Sequence, residues 1–102
     1  AILTDRGSAS CSDMFAGGMQ ALGRARIFGD TSAGMALPSA SVPLPSGDHL
    51  LYPIADFVDP SGRRIEGVGV TPDTPSAPTA DALRDGRDSA LEAALAWIGT
   101  AA

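Results

Sequence analysis

Ser10, Cys11, Ser12 and Asp13 stand together in the run Gly7-Ser8-Ala9-Ser10-Cys11-Ser12-Asp13-Met14-Phe15, between an apolar start and an amphipathic stretch. A serine on a strand-to-helix turn can expose its hydroxyl, and the N–H groups of the helix start can face an anion. Acyl-transfer enzymes use that geometry for a nucleophile and the oxyanion it creates. The same residues have a plainer use. Ser10 and Asp13 match the S/T-x-x-D/E spacing of a capping box, and serine is a common helix cap. On the local pattern alone, Ser10 reads as a cap.

The rest of a catalytic apparatus is sparse. The seven basic residues are all arginines, which stay protonated and cannot take a proton from a serine. His49 is the one histidine, and a lone histidine reads first as structural or solvent-facing. One histidine and one cysteine cannot make a typical metal site, and no phosphate-binding glycine loop is present, so no metal or cofactor is expected. Cys11 reads as a small apolar residue on a helix face, and as the single cysteine it excludes an internal disulfide. The net charge of −5, with no basic cluster larger than the pairs Arg24/Arg26 and Arg63/Arg64, speaks against nucleic acid as a partner. No apolar run approaches the roughly 18 residues of a membrane span. No signal peptide is recognised either.

The elements that must position Ser10 follow from the hydrophobic pattern. The 102 residues suit one small domain or a piece of one, and 44% hydrophobic with 19% charged residues is a globular composition. Ala1–Thr4 is a short apolar run that reads as a buried strand. It resembles the middle of a strand, so the chain reads as part of something larger. A helix is predicted over about Ser12–Leu22, with Cys11, Met14, Phe15, Gly18, Met19 and Leu22 on one face and Gly23 as its stop. Arg24–Gly29 reads as a second strand, parallel to the first through a right-handed crossover. Residues 37–47, with Pro38, Pro43 and Pro45, read as a loop or edge segment. His49–Val58 and Arg63–Val70 flank the turn signal Asp59-Pro60-Ser61-Gly62, so 49–70 reads as a hairpin. Thr71–Thr79 is Pro-rich and expected to be irregular. Asp88–Ile98 is the clearest helix, with Leu91, Ala94, Leu95 and Ile98 lining one face. Trp97 reads as core.

In this order the residues resemble one family, the C-terminal-processing (tail-specific) serine peptidases, a group that includes the tricorn core and retinoid-binding-protein-like relatives. The resemblance begins in Gly7–Ala16 and continues through Gly23-Arg24-Ala25, Gly29-Asp30-Thr31-Ser32-Ala33-Gly34 and Leu44-Pro45-Ser46-Gly47. It is most specific in Gly62-Arg63-Arg64-Ile65-Glu66-Gly67-Val68-Gly69-Val70-Thr71-Pro72-Asp73, and it ends with the Asp88–Ile98 helix. The resemblance implies an α/β fold of the ClpP/crotonase-like kind. The chain, residues 1–102, would be the C-terminal portion of the catalytic domain: β-α-β, then a β-hairpin and a C-terminal helix.

The resemblance also assigns roles. Ser10 matches the nucleophile. The Cys11 N–H would be one oxyanion donor, with the other coming from an upstream glycine-rich segment. The processing branch pairs its serine with a lysine in a Gly-Lys step, and this chain has Gly34-Met35 there. The tricorn-like branch takes its base from an upstream His supported by a downstream Glu, and Glu66 matches that Glu by position. Met35 therefore favours the tricorn-like or retinoid-binding-protein-like branch.

Three functions follow. The first is a serine endopeptidase acting through an acyl-enzyme on peptide or protein C-terminal segments. Its partners would be the peptide or protein substrate and the upstream part of the same domain, with a homo-oligomer left open. The isolated chain, lacking the base, is expected to be inactive. The second is a catalytically inactive ligand- or peptide-binding module on the same scaffold, motivated by Met35. The third is a structural domain without a site, which leaves Ser10 unexplained.

Overall fold

The computed structural model describes residues 1–101. In chain order the elements are β1 (Ile2–Thr4), α1 (Cys11–Ala21), β2 (Ile27–Gly29), β3 (Ser39–Pro43), β4 (His49–Pro53), β5 (Thr74–Pro75), α2 (Ala80–Arg84) and α3 (Ser89–Ala101). β1, β2 and β5 form a three-stranded parallel sheet with β2 in the middle. The β1-α1-β2 unit expected from the sequence is present, with Ile2 opposite Ile27 and Thr4 opposite Gly29. β3 and β4 form a separate antiparallel ribbon.

Alternation along β2 divides the body into layers, because successive strand residues point to opposite faces. Ile27 belongs to a buried cluster with Ala16 of α1, Ala36, Ile65 and Val70. Phe28 faces the other way and packs on Trp97 of α3, ring centroids 5.7 Å apart and tilted by 48°. Helix α1 lies close against the chain at Ile65–Val70 because Gly17 has no side chain. A Cβ there would stand 3.1 Å from Ile65 Cδ1 and 3.2 Å from Val70 Cγ2.

Helices α1 and α3 keep Met14 and Ala94 of their expected faces inward but turn the largest residues of those faces outward. In α1 the buried residues are Asp13, Ala16 and Gly17, while Phe15, Leu22 and Cys11 are exposed. Small residues win the inward face because the helix must sit close to its support, and Asp13 wins it through hydrogen bonds described below. In α3, Ala90 and Ala94 are buried and Trp97 is half-buried, whereas Leu91, Leu95 and Ile98 are exposed. Asp88 starts this helix, accepting from the Ala90 and Leu91 N–H groups. Gly23 ends α1 as expected, with φ +63 and its N–H on the Gln20 carbonyl.

The hairpin lies elsewhere than the turn signals suggest. The ribbon joins 39–43 to 49–53, pairing Ser39 with Pro53 and Pro43 with His49, so the Pro-rich segment is itself a strand. Pro38 and Pro45 flank the strand rather than lie in it, and Pro43 is compatible with it because its pair with His49 falls between hydrogen-bonded positions, so its ring nitrogen faces outward. Arg63–Val70 does not return as a strand. It makes one isolated bridge, Val58 to Arg64. Thr74–Pro75, expected to be irregular, adds an edge strand to β2. The anchor is Asp73, whose Oδ2 accepts from the Ile27 N–H at 2.7 Å.

The turn at Asp59–Gly62 forms as the sequence indicates. The Gly62 N–H donates to the Asp59 carbonyl at 2.8 Å. The buried Asp59 carboxylate accepts from the Ser61 hydroxyl and N–H, the Arg63 N–H and the Arg63 guanidinium. The Ser61 hydroxyl, foremost, holds this carboxyl below its ordinary value of 3.8; burial opposes the shift, and the two N–H groups and the Arg63 charge reinforce it. The folded form thus holds the Asp59 proton less tightly than the unfolded chain. The resulting stability is fully present above about pH 3.8 and is lost as pH falls through the lower folded value. Asp59→Asn is therefore expected to flatten the acid limb of a stability–pH curve below about pH 4, measured by urea unfolding. An unchanged acid limb would contradict this account of the turn.

Candidate active-site groove

Ser10 sits between β1 and α1, one residue before the helix begins, with φ 58 and ψ −119. Among the described residues it is the one non-glycine with positive φ. A side chain in such a conformation costs on the order of 1–3 kcal/mol and persists only where the surroundings impose it. The imposition is visible. The Ser10 N–H donates to the Met35 carbonyl at 2.9 Å, and the Met14 N–H returns to the Ser10 carbonyl at 3.1 Å. The side chain gives the helix no cap hydrogen bond. The capping-box expectation is therefore corrected: the hydroxyl is left exposed in the groove, and the acid three residues on has another task.

That acid, Asp13, is fully buried. Its Oδ1 accepts from the Ser32 hydroxyl at 2.5 Å and the Gly34 N–H at 3.1 Å. Its Oδ2 accepts from the Met35 N–H at 3.0 Å. Ser32 Oγ in turn accepts from the Val70 N–H at 2.7 Å. The carboxylate thus ties α1 to the loop after β2, and Ser32 passes the connection on to Val70. The contact is close enough to require glycine twice. A Cβ on Gly34, at φ +70, would stand 2.7 Å from the Gly69 nitrogen; one on Gly69, at φ +77, would stand 2.4 Å from the Ser32 carbonyl oxygen. The Gly67 N–H completes the seam by donating to the Gly34 carbonyl at 2.8 Å.

Glu66 arrives on this seam. It is half-buried, and its Oε2 accepts from the Ala36 N–H at 2.6 Å. Ser10, Cys11, Met35, Leu51 and Glu66 are among the residues that line one open groove of about 830 Å³. The three residues singled out in the sequence, Ser10, Cys11 and Glu66, are thus brought into one place from segments far apart in the chain. The Cys11 N–H stands in the first helical turn, where no intrahelical carbonyl is available to it. His49 is not among the lining residues; its Nδ1 lies 3.2 Å from Ser41 Oγ on the ribbon. Among the described residues no group of three His, Cys, Asp or Glu side chains could hold a metal ion.

Sequence reasoning missed the parts played by Ser32 and Asp13. The signal was available: an acid in a first helical turn, followed downstream by a Ser-Ala-Gly step rich in free N–H groups. A capping box explains the same acid, and only the fold separates the two.

With this geometry in hand, comparison with known proteins is informative. Residues 1–76 match peptidase family S41. The chain belongs to that family. Over 72 residues it is 39% identical to the carboxy-terminal-processing protease of Bartonella bacilliformis, covering 71% of this chain and 17% of that protein. Over 71 residues it is 32% identical to the carboxy-terminal processing protease CtpB of Bacillus subtilis, covering 70% and 15%. The chain thus spans less than a fifth of the length of these relatives. Among solved structures it is similar to the photosystem II D1 C-terminal processing protease, with TM-score 0.65 and 33% identity over 74% of this chain and 20% of that one. A putative peptidase from Parabacteroides merdae superposes with TM-score 0.76 and 30% identity, covering 93% and 30%. The α/β fold is that of S41 peptidases.

Two substitutions separate positioning from chemistry. Asp13→Asn places an NH₂ group among donors and is expected to cost about 2–3 kcal/mol of stability by chemical denaturation. A loss of under about 0.5 kcal/mol would show that the seam does not depend on the carboxylate. At Ser10 the conformation disfavours any side chain, so Ser10→Gly is expected to be more stable than Ser10→Ala by about 1 kcal/mol. Equal stabilities in the same assay would remove the strain.

Proposed function

We propose that this chain carries the nucleophile of a serine-type endopeptidase and forms the C-terminal portion of its catalytic domain. The observation that carries the reading is Ser10 itself: a non-glycine held at φ 58, exposed in a groove, at the start of a helix whose cap it does not provide. Backbone strain at an exposed serine is a cost that a cap alone would not require. Membership of family S41 supports the same reading.

In this mechanism Ser10 Oγ attacks the scissile carbonyl carbon as its proton passes to a general base. The Cys11 N–H donates to the oxygen that becomes negative. Collapse breaks the C–N bond, the amine leaves with the proton from the base, and water then hydrolyses the ester to release the acyl product. Met35, a thioether, cannot be that base. The base in this reading is a histidine from the upstream part of the same peptidase domain, and Glu66 helps to orient it. The Ala36 N–H holds Glu66 Oε2, which fixes the carboxylate while Oε1 can serve the partner. The substrate is a peptide or protein C-terminal segment, bound in an extended form beside a strand.

Met35 at the rim favours one second reading, a catalytically inactive peptide- or ligand-binding module on the same scaffold. Fluorophosphonate labelling of the full-length protein, read by intact mass, separates the two. A single adduct that disappears in Ser10→Ala is the expected result. A folded protein that acquires no adduct would overturn the peptidase reading and leave the binding module.

A further inference from the structure

The ribbon wall continues past the residues that line the groove. Side chains alternate along a strand, and directly opposed residues of an antiparallel pair share a face. Ser39 opposes Pro53, Ser41 opposes Leu51 and Pro43 opposes His49. Ser39, Leu51 and Pro53 line the groove with Ser10, so Ser41 and His49 stand on that same face, further towards the turn of the ribbon. Ser41 Oγ lies 3.2 Å from His49 Nδ1, which joins the two side chains there. His49 is two residues from Leu51, about 7 Å along β4. An extended peptide lying beside the ribbon has the same two-residue repeat. Where one of its side chains meets Leu51, the side chain two residues on comes opposite His49.

Charge singles out this position. The one charged side chain lining the groove is Glu66, already engaged by the Ala36 N–H. No arginine lines it. His49 is exposed and forms no ion pair with a described residue. Across the ribbon it faces Ser41 and Pro43, neither of them ionisable. Asp48, its neighbour in sequence, alternates to the other face, and its carboxylate accepts from the Ser46 hydroxyl at 2.8 Å. A Ser41 hydroxyl that donates to Nδ1 leaves the imidazole proton on Nε2, free to donate outward.

We infer that His49, braced by Ser41, is a binding site for an acidic side chain of the peptide, two residues along from the one beside Leu51. The inference rests on the proposed extended binding of a peptide in the Ser10 groove. A neutral imidazole offers a carboxylate one N–H, and a protonated one adds its charge. Preference for glutamate over the isosteric glutamine therefore grows as pH falls through the ordinary range of histidine, where glutamate is still ionised. Both partners face solvent, so the preference is modest and weakens with salt.

Isothermal titration with the full-length protein bearing Ser10→Ala, which cannot turn a peptide over, tests this. The probes are N-acetylated decapeptide amides of alanine, leucine and serine that carry one central glutamate or one central glutamine. A uniform background lets the peptide slide until the carboxylate finds its place on either side of residue 10. The glutamate peptide is expected to bind about threefold more tightly at pH 6 and with little preference at pH 8.5. Adding His49→Gln, which keeps a partner for Ser41, is expected to abolish the preference at both pH values. Adding His49→Arg is expected to keep it at both. Equal affinities at pH 6, a preference that survives His49→Gln, or no binding of either peptide would overturn the site. A third probe, the glutamine peptide with a free C-terminal carboxylate, is expected to gain nothing; a gain there, with none from glutamate, would overturn the side-chain assignment. Fluorophosphonate labelling of the wild type reports Ser10 separately. Its failure with the glutamate preference intact would overturn the nucleophile and leave this site standing.

Discussion

The buried carboxylate of Asp13 is the interaction on which the rest of this structure depends. A carboxylate taken out of water is tolerated only when its oxygens are met by donors. Here Ser32, Gly34 and Met35 meet them. Satisfying one acid therefore fixes where α1 begins, where the loop after β2 runs, and where Val70 meets that loop through Ser32. The contacts are short enough that two glycines at positive φ are required to let the backbones approach. The conformation of Ser10 follows from that closure, because Met35 is held by Asp13 through its N–H and holds Ser10 through its carbonyl.

This arrangement relates stability to chemistry. A helix start would ordinarily use its serine as a cap and leave its acid to the macrodipole. In this chain the acid is drawn inward as a structural tie, and the serine is left with its hydroxyl in a groove. The strained backbone at Ser10 and the satisfied charge at Asp13 are two ends of one arrangement. The seam loop also delivers Glu66 to the same groove, from a segment more than fifty residues away in sequence, with Ala36 as its fixed contact.

The exposed apolar faces follow from the same geometry. Helix α1 uses alanine and glycine to approach Ile65 and Val70, and so turns Phe15 and Leu22 outward. Helix α3 does likewise with Ala90 and Ala94 inward and Leu91, Leu95 and Ile98 outward. Closeness of approach, rather than the size of the hydrophobic residues, chose the buried face in both. The chain spans 17% and 15% of its two named relatives' lengths.

The sequence by itself determined the local features. Short apolar runs made β1 and β2, Gly23 stopped α1, Asp88 began α3, and Asp59-Pro60-Ser61-Gly62 turned the chain. Each depends on residues within a few positions of one another, which is the range over which periodicity and turn chemistry act. The ordered motifs also carried the family, and with it the choice of Ser10, Cys11 and Glu66. Only the tertiary structure decided which partner each segment took. The pairing of 39–43 with 49–53, the addition of Thr74–Pro75 to β2 and the tie from Asp13 to Ser32, Gly34 and Met35 all join groups whose attraction depends on distance in space. A capping acid and a buried tie have the same spelling in sequence. What separates them is whether three donors from another segment arrive to satisfy the charge, and that is fixed only when the chain has folded.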